Sequence, residues 1–198
     1  MELRARSAGS SDLDAVVETI AVAFYNDPVW SFAFGDPTAR AAQFRRWWPL
    51  FVESALPYGW VRMLGQAETV AVWMPPGRPE LTPEAEARIP GLLDELLGDR
   101  APLVLRGLLQ FEAAHPHDEP HYYLSFVATH DDHRGRGIGE RLLAQNLELI
   151  DAEHLPAYLE SSNPKNLTRY ERLGFRPRSD FDFAPGGPTV TTMWRPAR

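Results

Sequence analysis

The sequence contains no cysteine, and this absence removes several kinds of chemistry. Without thiols there is no disulfide, no cysteine nucleophile and no zinc site built on thiolates. Long hydrophobic runs are missing too, because no apolar stretch approaches the ~20 residues of a membrane span. The N-terminal segment turns polar at Ser7 and lacks the pattern of a signal peptide. We therefore expect a cytoplasmic protein that does not contact membranes.

Lysine is almost absent as well, since Lys165 is the only one in a chain of net charge −7. No run of basic residues marks a surface for nucleic acid, so a nucleic-acid partner is not expected. The clearest basic concentration is Arg134 and Arg136, within a glycine-rich turn. An acidic body with one small basic turn suits an anionic cofactor and a cationic substrate.

Hydrophobic residues make up 44% of the 198 residues, which is enough to build the core of one domain. The predicted strands cover 2–8, 59–64, 69–74, 121–129, 157–161, 175–183 and 189–194. The predicted helices begin at a Ser11–Asp14 capping box and continue at 37–56, 137–153 and 163–174. An interrupted helical pattern at 82–114, broken at Pro90 and again at Gly98, predicts an inserted helical hairpin. This order of elements predicts an α/β fold in which helices cover both faces of a mixed sheet.

The segment from His121 to Glu140 carries the clearest chemical signal. A strand leads into a turn with alternating glycines, and the turn opens a helix. Glycines allow close approach of a ligand, and the first amides of a helix attract anions. We expect a pyrophosphate there. Glu140 stands where a dinucleotide fingerprint would have its last glycine, and no P-loop sequence is present.

Two motifs in this region resemble the GCN5-related N-acetyltransferases (GNAT). Arg134, Gly137 and Gly139 match the central family motif in its strand–turn–helix context. The segment Asn163–Phe175, with a tyrosine at Tyr170 followed by Gly-Phe, matches a second family element. The resemblance covers about 121–175 and is closest to the branch that contains puromycin N-acetyltransferase.

The resemblance implies a mixed, mostly antiparallel sheet in which one strand pair splays to admit acetyl-CoA. It implies direct transfer of the acetyl group to an amine within a ternary complex. Backbone groups of Val127, Ala128 and Thr129 would pair with the pantetheine arm. Asn163 and Asn166 would touch the cofactor. The implied pyrophosphate site comprises Arg134, Gly135, Arg136, Gly137, Ile138, Gly139 and Glu140.

Amine acetylation needs a neutral amine and a proton for the departing thiolate. Tyr170 is the candidate acid because a phenol keeps its proton at neutral pH; the alternative is a core tyrosine. Glu160 lies in an otherwise apolar strand, where a carboxylate is costly unless paired. It is a candidate base or ammonium ligand, and a purely structural carboxylate is the alternative.

The histidine-rich stretch falls in a loop at 115–120 and at the strand start at His121, and it is interpreted as a solvated loop without a metal ion. His115, His117 and His121 could suggest a metal site, but their spacing matches no helical metal motif. The aromatic groups at 30–34 and 47–51 are expected in the core. Asp27 and Asp36 are expected to act as helix caps or turn residues, and binding a cation is the alternative.

We expect the acceptor to be a small cationic amine, enclosed by the inserted hairpin. A protein or peptide amine is the alternative acceptor, and a catalytically silent acyl-CoA-binding module is the alternative class. The identity of the acceptor, the acyl chain length, the general base and the oligomeric state, a homodimer included, stay open at this point.

Overall fold

The computed structural model describes residues 4–198, which form one seven-stranded sheet in the order β1-β2-β3-β4-β5-β7-β6. The strands are β1 (Arg6–Ser7), β2 (Val61–Leu64), β3 (Thr69–Met74), β4 (Tyr122–Thr129), β5 (Ala157–Ser161), β6 (Arg176–Asp182) and β7 (Thr189–Arg195). The first four helices are α1 (Leu13–Phe24), α2 (Pro28–Ala33), α3 (Arg40–Trp47) and α4 (Pro49–Ala55). The others are α5 (Pro83–Leu97), α6 (Ala101–Ala114), α7 (Ile138–Ala152) and α8 (Leu167–Arg172). The predicted α/β architecture is confirmed; of the first predicted strand, residues 2 and 3 lie outside the described residues.

The sheet is mostly antiparallel, and its one parallel pair, β4 with β5, splays apart. These two strands pair from Tyr122 opposite Ala157 to Leu124 opposite Leu159, and no further. Beyond that point β4 stays on β3 as far as Thr129, while β5 stays on β7. A V-shaped cleft therefore opens beyond Leu124, as the family resemblance implied.

A β-bulge lies at the vertex of this cleft. Val72 pairs with Phe126 and Trp73 pairs with Leu124, so Ser125 has no opposite residue on β3. The extra residue changes which face of the sheet the following side chains occupy. Leu124 packs in the cluster beneath α7, whereas Phe126 packs in the cluster beneath α1.

The core has two hydrophobic clusters, one on each face of the sheet. The larger contains the side chains of α1 to α6, and the predicted aromatic core is found there. Trp47 and Trp48 are fully buried, and Trp30 is nearly so. The smaller cluster packs α7 and α8 against the opposite face. Both helical layers therefore bracket the splayed strand pair.

Two predicted helix boundaries were wrong because proline acts differently at different positions. The helix expected at 37–56 is divided at Trp48, and Pro49 begins α4 as its first residue. The break expected at Pro90 does not occur, since α5 continues through it. Pro90 is exposed, while Ile89 and Leu93 beside it are buried, so packing holds the helix despite the lost hydrogen bond. The predicted hairpin at 82–114 otherwise forms, with its turn at Gly98.

The N-terminal capping prediction was also wrong. No Ser11–Asp14 box forms; instead Asp12 accepts the Gly9 amide at 2.9 Å and pairs with Arg6 at 2.7 Å. Helix α2 was missed because six residues are too few to show a helical period. No helix within residues 4–198 is long and apolar enough to cross a membrane.

Candidate active site

The turn between β4 and α7 forms an open cradle of backbone amides. Gly135 and Gly137 have φ angles of 76° and 70°, which favour glycine, and a Cβ on either would meet no atom within 4 Å. The Arg141 amide makes an intrahelical bond to Gly137 O at 3.0 Å, so the amides of the preceding turn have no helical acceptor. The cradle has room for a pyrophosphate, and side chains at these two glycines would fill it.

Gly139 is required for a different reason, which is close packing. A Cβ there would lie 2.8 Å from Thr129 Oγ1, so the start of α7 sits directly on the end of β4. Thr129 Oγ1 in turn lies 3.0 Å from Thr69 Oγ1 on β3. The three alternating glycines thus serve two purposes, an open cradle and a tight helix–strand contact.

The arginines of the turn differ in their contacts. Arg134 donates to the carbonyl of Ala23 at 2.9 Å and pairs with Asp131 at 2.8 Å. Its guanidinium therefore joins the turn to the last residues of α1. Arg136 is exposed and does not line the cavity, in contrast to the other predicted site residues.

One cavity of about 1810 Å³ brings the other predicted site residues together. Its lining from the predicted set comprises Val127, Ala128, Thr129, Arg134, Gly135, Gly137, Ile138, Gly139, Glu140, Glu160, Asn163, Asn166 and Tyr170. The side chain of Glu140 is paired with Arg172 at 2.9 Å, so its backbone amide is the group left for a ligand. Asn163 caps the following turn by accepting the Lys165 amide at 3.1 Å, as its sequence context predicted.

Tyr170 is buried on α8 and reaches the cavity from the side of the smaller cluster. Burial raises the pKa of its phenol, and the negative charge of Asp27 raises it further. The hydroxyl therefore keeps its proton across the neutral range. This is the state that a general acid needs before reaction.

Asp27 and Asp36 act as cap and turn residues, as expected. Asp27 Oδ1 accepts the amides of Val29 and Trp30 at 3.0 and 3.2 Å, at the start of α2. Asp36 Oδ1 accepts the amide and the hydroxyl of Thr38 at 2.8 and 2.7 Å. Asp27 also lines the cavity, so the cap of α2 forms part of its wall.

Glu160 lies at the vertex of the cleft among aromatic side chains. Its side chain is only 2% exposed, and its Oε1 lies 3.7 Å from His115 Nδ1 without a hydrogen bond among the described residues. Burial raises the pKa of Tyr123 and of Tyr158, and the charge of Glu160 raises both further. Two protonated phenols and an imidazole thus surround this carboxylate.

The interpretation of 115–121 as a solvated loop was wrong for two of its histidines. His121 is 8% exposed, and its Nε2 lies 3.3 Å from His115 Nε2. Burial lowers the pKa of His121. The side chain turns inward because β4 begins at the next residue, whereas His117 is exposed as expected. Within residues 4–198, no group of three potential ligands is arranged to hold a metal ion.

Glu80, which lies two residues before the cap of α5, was not predicted from the sequence. Ser125 at the bulge donates a short hydrogen bond to its carboxylate. Burial, as the largest cause, raises the pKa of Glu80 to about 7. No pattern pointed to Glu80, because it lies in a proline-rich turn and meets β4 only through the tertiary fold.

A splayed parallel strand pair with an amide cradle at its end is the arrangement that the family resemblance implied. Residues 102–175 match the model of the acetyltransferase (GNAT) family. This match, together with the named acetyltransferases among the similar proteins, supports an N-acetyltransferase of this family. The resemblance read from Arg134, Gly137 and Tyr170 is therefore confirmed at the level of the family.

Relatives and solved structures agree with this assignment. An uncharacterised N-acetyltransferase of Schizosaccharomyces pombe is 24% identical over 194 residues, covering 87% of this chain and 74% of that protein. A Corynebacterium glutamicum structure, described as histone acetyltransferase HPA2 and related acetyltransferase, has a TM-score of 0.68 and 26% identity, covering 100% of this chain and 98% of its own. The Drosophila melanogaster polyamine N-acetyltransferase, which forms N-acetylagmatine, has a TM-score of 0.66 and 14% identity, covering 98% of this chain and 100% of its own.

Proposed function

We propose that the protein transfers the acetyl group of acetyl-CoA to a primary amine of a small, cationic molecule, directly within a ternary complex. The observation that carries the proposal is the lining of the large cavity described above. Its one end is the amide cradle, and its other end is an acidic, aromatic chamber roofed by α5 and α6. We call this second end the acceptor chamber; its inner residues are Glu80, His115, Tyr123 and Glu160.

Acetyl-CoA supplies the acetyl group as a thioester, and the chain offers groups for each part of it. Amides from Gly135 to Glu140 suit the pyrophosphate, and the edge of β4 that lacks a strand partner, Val127 to Thr129, suits the pantetheine arm. Asn163 and Asn166 line the same side of the cavity. The absence of cysteine is consistent with direct transfer, because no thiol is available to hold the acetyl group.

Two side chains have proposed roles in the reaction itself. Tyr170 is the proposed acid that gives a proton to the departing sulfur, and its raised pKa keeps that proton in place. Glu160 is proposed to hold the ammonium group of the acceptor at the vertex of the cleft. A buried carboxylate with no hydrogen bond on Oε1 is well suited to receive one.

The size and charge of the acceptor chamber support a small cationic acceptor. Helices α5 and α6 line it with apolar side chains, which include Ile89, Leu105, Leu108 and Phe111. Its acidic lining includes Glu86 and Glu112 in addition to the two inner glutamates. Aromatic faces next to carboxylates are favourable surroundings for ammonium groups. The Drosophila protein, at 14% identity, supports only the fold. The proposal of a small amine therefore depends on the lining of the acceptor chamber.

The remaining assignments are proposals of the same kind. The chain is proposed to act as one acetyltransferase domain over 1–198, with α5 and α6 as a helical insertion that encloses the acceptor. We propose that it works in the cytoplasm, without nucleic acid or membrane as a partner.

Thiol release from acetyl-CoA, measured with a panel of amines, tests the proposed function. The panel contains monoamines, diamines, aminoglycosides, puromycin and peptides with free amines. Small cationic amines are expected to give the highest kcat/KM. A peptide that exceeds every small amine by about tenfold, which is about 1.4 kcal/mol, would reverse the proposed choice of acceptor. Binding of acetyl-CoA without turnover on any amine would favour a silent binding module.

A further inference from the structure

We propose that Glu80 is the general base that takes a proton from the acceptor ammonium, an inference that rests on the proposed acetyl transfer. Glu80 lines the acceptor chamber and contacts Ser125 at the bulge of β4. The splayed strands diverge at the same level, just beyond Leu124 and Leu159. The carboxylate therefore lies at the vertex where the cofactor cleft and the acceptor chamber meet.

The backbone around Glu80 is fixed on both sides. Before it, a turn closes with the Arg78 amide bonded to Pro75 O at 3.1 Å. After it, Thr82 caps α5 by accepting the Ala85 amide at 3.2 Å, while its own amide donates to Ser54 Oγ at 3.2 Å. A side chain held between a closed turn and a helix cap is well positioned for proton transfer, which requires a defined geometry.

The surroundings of Glu80 favour a protonated form that is lost close to neutral pH. The charged and titratable groups that face it are Glu160 on β5, with Glu112 and His115 from the end of α6. Burial is the largest cause that raises its pKa to about 7, and the two glutamates raise it as well. The hydrogen bond from Ser125 and the charge of His115 act in the opposite direction. A base with a pKa near the working pH transfers protons most effectively.

Glu80 and Glu160 both line the acceptor chamber, but the groups around them differ. Both residues are half-buried overall and line the cavity, and Glu80 accepts the hydrogen bond from Ser125. The side chain of Glu160 is 2% exposed and is enclosed by Tyr123, Tyr158 and His115. We therefore assign the fixed binding of the ammonium group to Glu160, which the phenols enclose, and the proton transfer to Glu80, which releases its proton to water in the cavity.

The proton balance assigns one transfer to each group. Glu80 takes the first proton from the ammonium, which leaves the nitrogen lone pair free to form the carbon–nitrogen bond. Tyr170 gives its proton to the sulfur as the carbon–sulfur bond breaks. The second nitrogen proton returns to Tyr170 through cavity water, and Glu80 releases its proton to solvent. One proton is released per amine acetylated, as the overall reaction requires.

The test compares Glu80→Gln with Glu160→Gln, using the best amine of the panel. The wild-type rate is expected to rise near neutral pH. In Glu80→Gln we expect this rise to be lost and kcat/KM to fall by about 10²- to 10⁴-fold. Glu160→Gln is expected to raise the KM of the acceptor and to keep the rise in rate, moved to lower pH because a neighbouring negative charge is removed. Glu80→Asp is expected to regain part of the lost rate. The affinity for acetyl-CoA should stay unchanged in all three, which also shows that they fold.

A second readout needs no turnover. The glutamate carboxyl signals of the isotope-labelled, ligand-free protein are followed by NMR as the pH changes. One signal should titrate near pH 7, should disappear in Glu80→Gln and should move to lower pH in Glu160→Gln, which removes a neighbouring negative charge.

The outcomes separate this inference from the proposed function. Wild-type turnover together with a rate for Glu80→Gln within about threefold of wild type would overturn the role of Glu80 alone. If Glu80→Gln keeps a near-wild-type rate and Glu160→Gln has a strongly reduced rate at every pH, Glu160 is the base. Absence of wild-type turnover on every amine would overturn the proposed function, and the inference with it.

Discussion

Ser162 donates a 2.7 Å hydrogen bond to Asp27 Oδ2 and so joins the end of β5 to the start of α2. The other carboxylate oxygen of Asp27 caps α2 through the amides of Val29 and Trp30. One buried side chain therefore connects the splayed strand to the helix on the opposite wall of the cavity. Its negative charge also acts on Tyr170, the proposed acid.

Replacing Asp27 by alanine is expected to destabilise the fold by about 1–2 kcal/mol, because a helix cap is lost. Ser162→Ala, the matched control, removes only the cross-link and should cost about 0.5–1.5 kcal/mol. Asp27→Asn should destabilise the fold less than Asp27→Ala does, because burial raises the pKa of Asp27 and makes its charged form costly at neutral pH. Urea denaturation at neutral pH measures all three. An Asp27→Ala protein as stable as the wild type would contradict the capping role.

Acetyl-CoA is expected to protect the fold, and Gly137→Val should remove most of that protection. A ligand at 100 times its dissociation constant stabilises by about 2.7 kcal/mol, which a thermal shift detects. A valine side chain would occupy the open space of the cradle. Gly59→Val is the control, because Gly59 has a φ of 71°, close to the 70° of Gly137, but does not line the cavity. Both variants suffer similar backbone strain, so only the loss of the ligand shift distinguishes them. Equal shifts in the two variants would place the pyrophosphate elsewhere.

The sequence predicted the cofactor end of the cavity much better than the acceptor end, for a physical reason. The cradle is local: Gly135, Gly137 and the start of α7 are adjacent in the chain, so a motif can encode them. The acceptor chamber is assembled from distant segments. Glu80 meets Ser125 across 45 residues, and that contact depends on a bulge that no pattern of apolar residues reveals.

The helix boundaries that were predicted wrongly have a similar explanation. Proline marked the start of α4 at Pro49 but did not interrupt α5 at Pro90, because buried neighbours outweigh one lost hydrogen bond. His121, at the predicted start of a strand, was expected to be solvated with the neighbouring loop, but in the fold it is buried directly before β4. In each case the local sequence is compatible with two structures, a continuous or a divided helix, or an exposed or a buried histidine. Tertiary packing determines which of the two forms.

Tyr170→Phe is expected to lower kcat by about 10²- to 10⁴-fold while leaving the affinity for acetyl-CoA nearly unchanged. Only the hydroxyl is removed, so the packing of the ring in the smaller cluster should survive. Tyr122→Phe is the control, because that hydroxyl bonds to Glu153 at 2.8 Å and does not line the cavity. Steady-state rates and a binding titration give the two quantities. A kcat for Tyr170→Phe within about threefold of wild type would refute the acid role, unless product release limits the rate, which a burst experiment detects.

The stability of the ligand-free protein should depend on pH through Glu80. Its pKa is raised from 4.5 when unfolded to about 7 when folded, so between these values the folded form binds more protons. Stability must therefore fall as the pH rises through this window and level off above it. At about 1.4 kcal/mol per pKa unit the fall is at most roughly 3 kcal/mol, reduced by the water that Glu80 still meets.

Glu80→Gln should remove this fall, because a neutral amide does not titrate. Free energies of unfolding measured from about pH 5 to pH 8 give the comparison, with Glu148→Gln on the exposed face of α7 as the control. The free energy of unfolding of Glu80→Gln, relative to that of the wild type, should therefore increase as the pH rises. Parallel curves for the wild type and Glu80→Gln would show that Glu80 has an ordinary pKa in the folded protein.

Charge on the inner surfaces of α5 and α6 should select acceptors that carry two positive charges. Glu86 and Glu112 line the acceptor chamber from these helices, and both are exposed. Replacing both by glutamine is expected to lower kcat/KM by about two- to tenfold for a diamine, and by less for a monoamine of equal length. The control replaces Glu84 and Glu148, which are also exposed but do not line the cavity, so the change in net charge is the same. Since exposed charges are screened within about 3 Å in 1 M salt, the difference between the two double variants should vanish there. An equal fall in kcat/KM in both double variants would show that the net charge of the protein causes the effect. If kcat/KM for a peptide acceptor changed in neither double variant, the acceptor would bind outside the chamber.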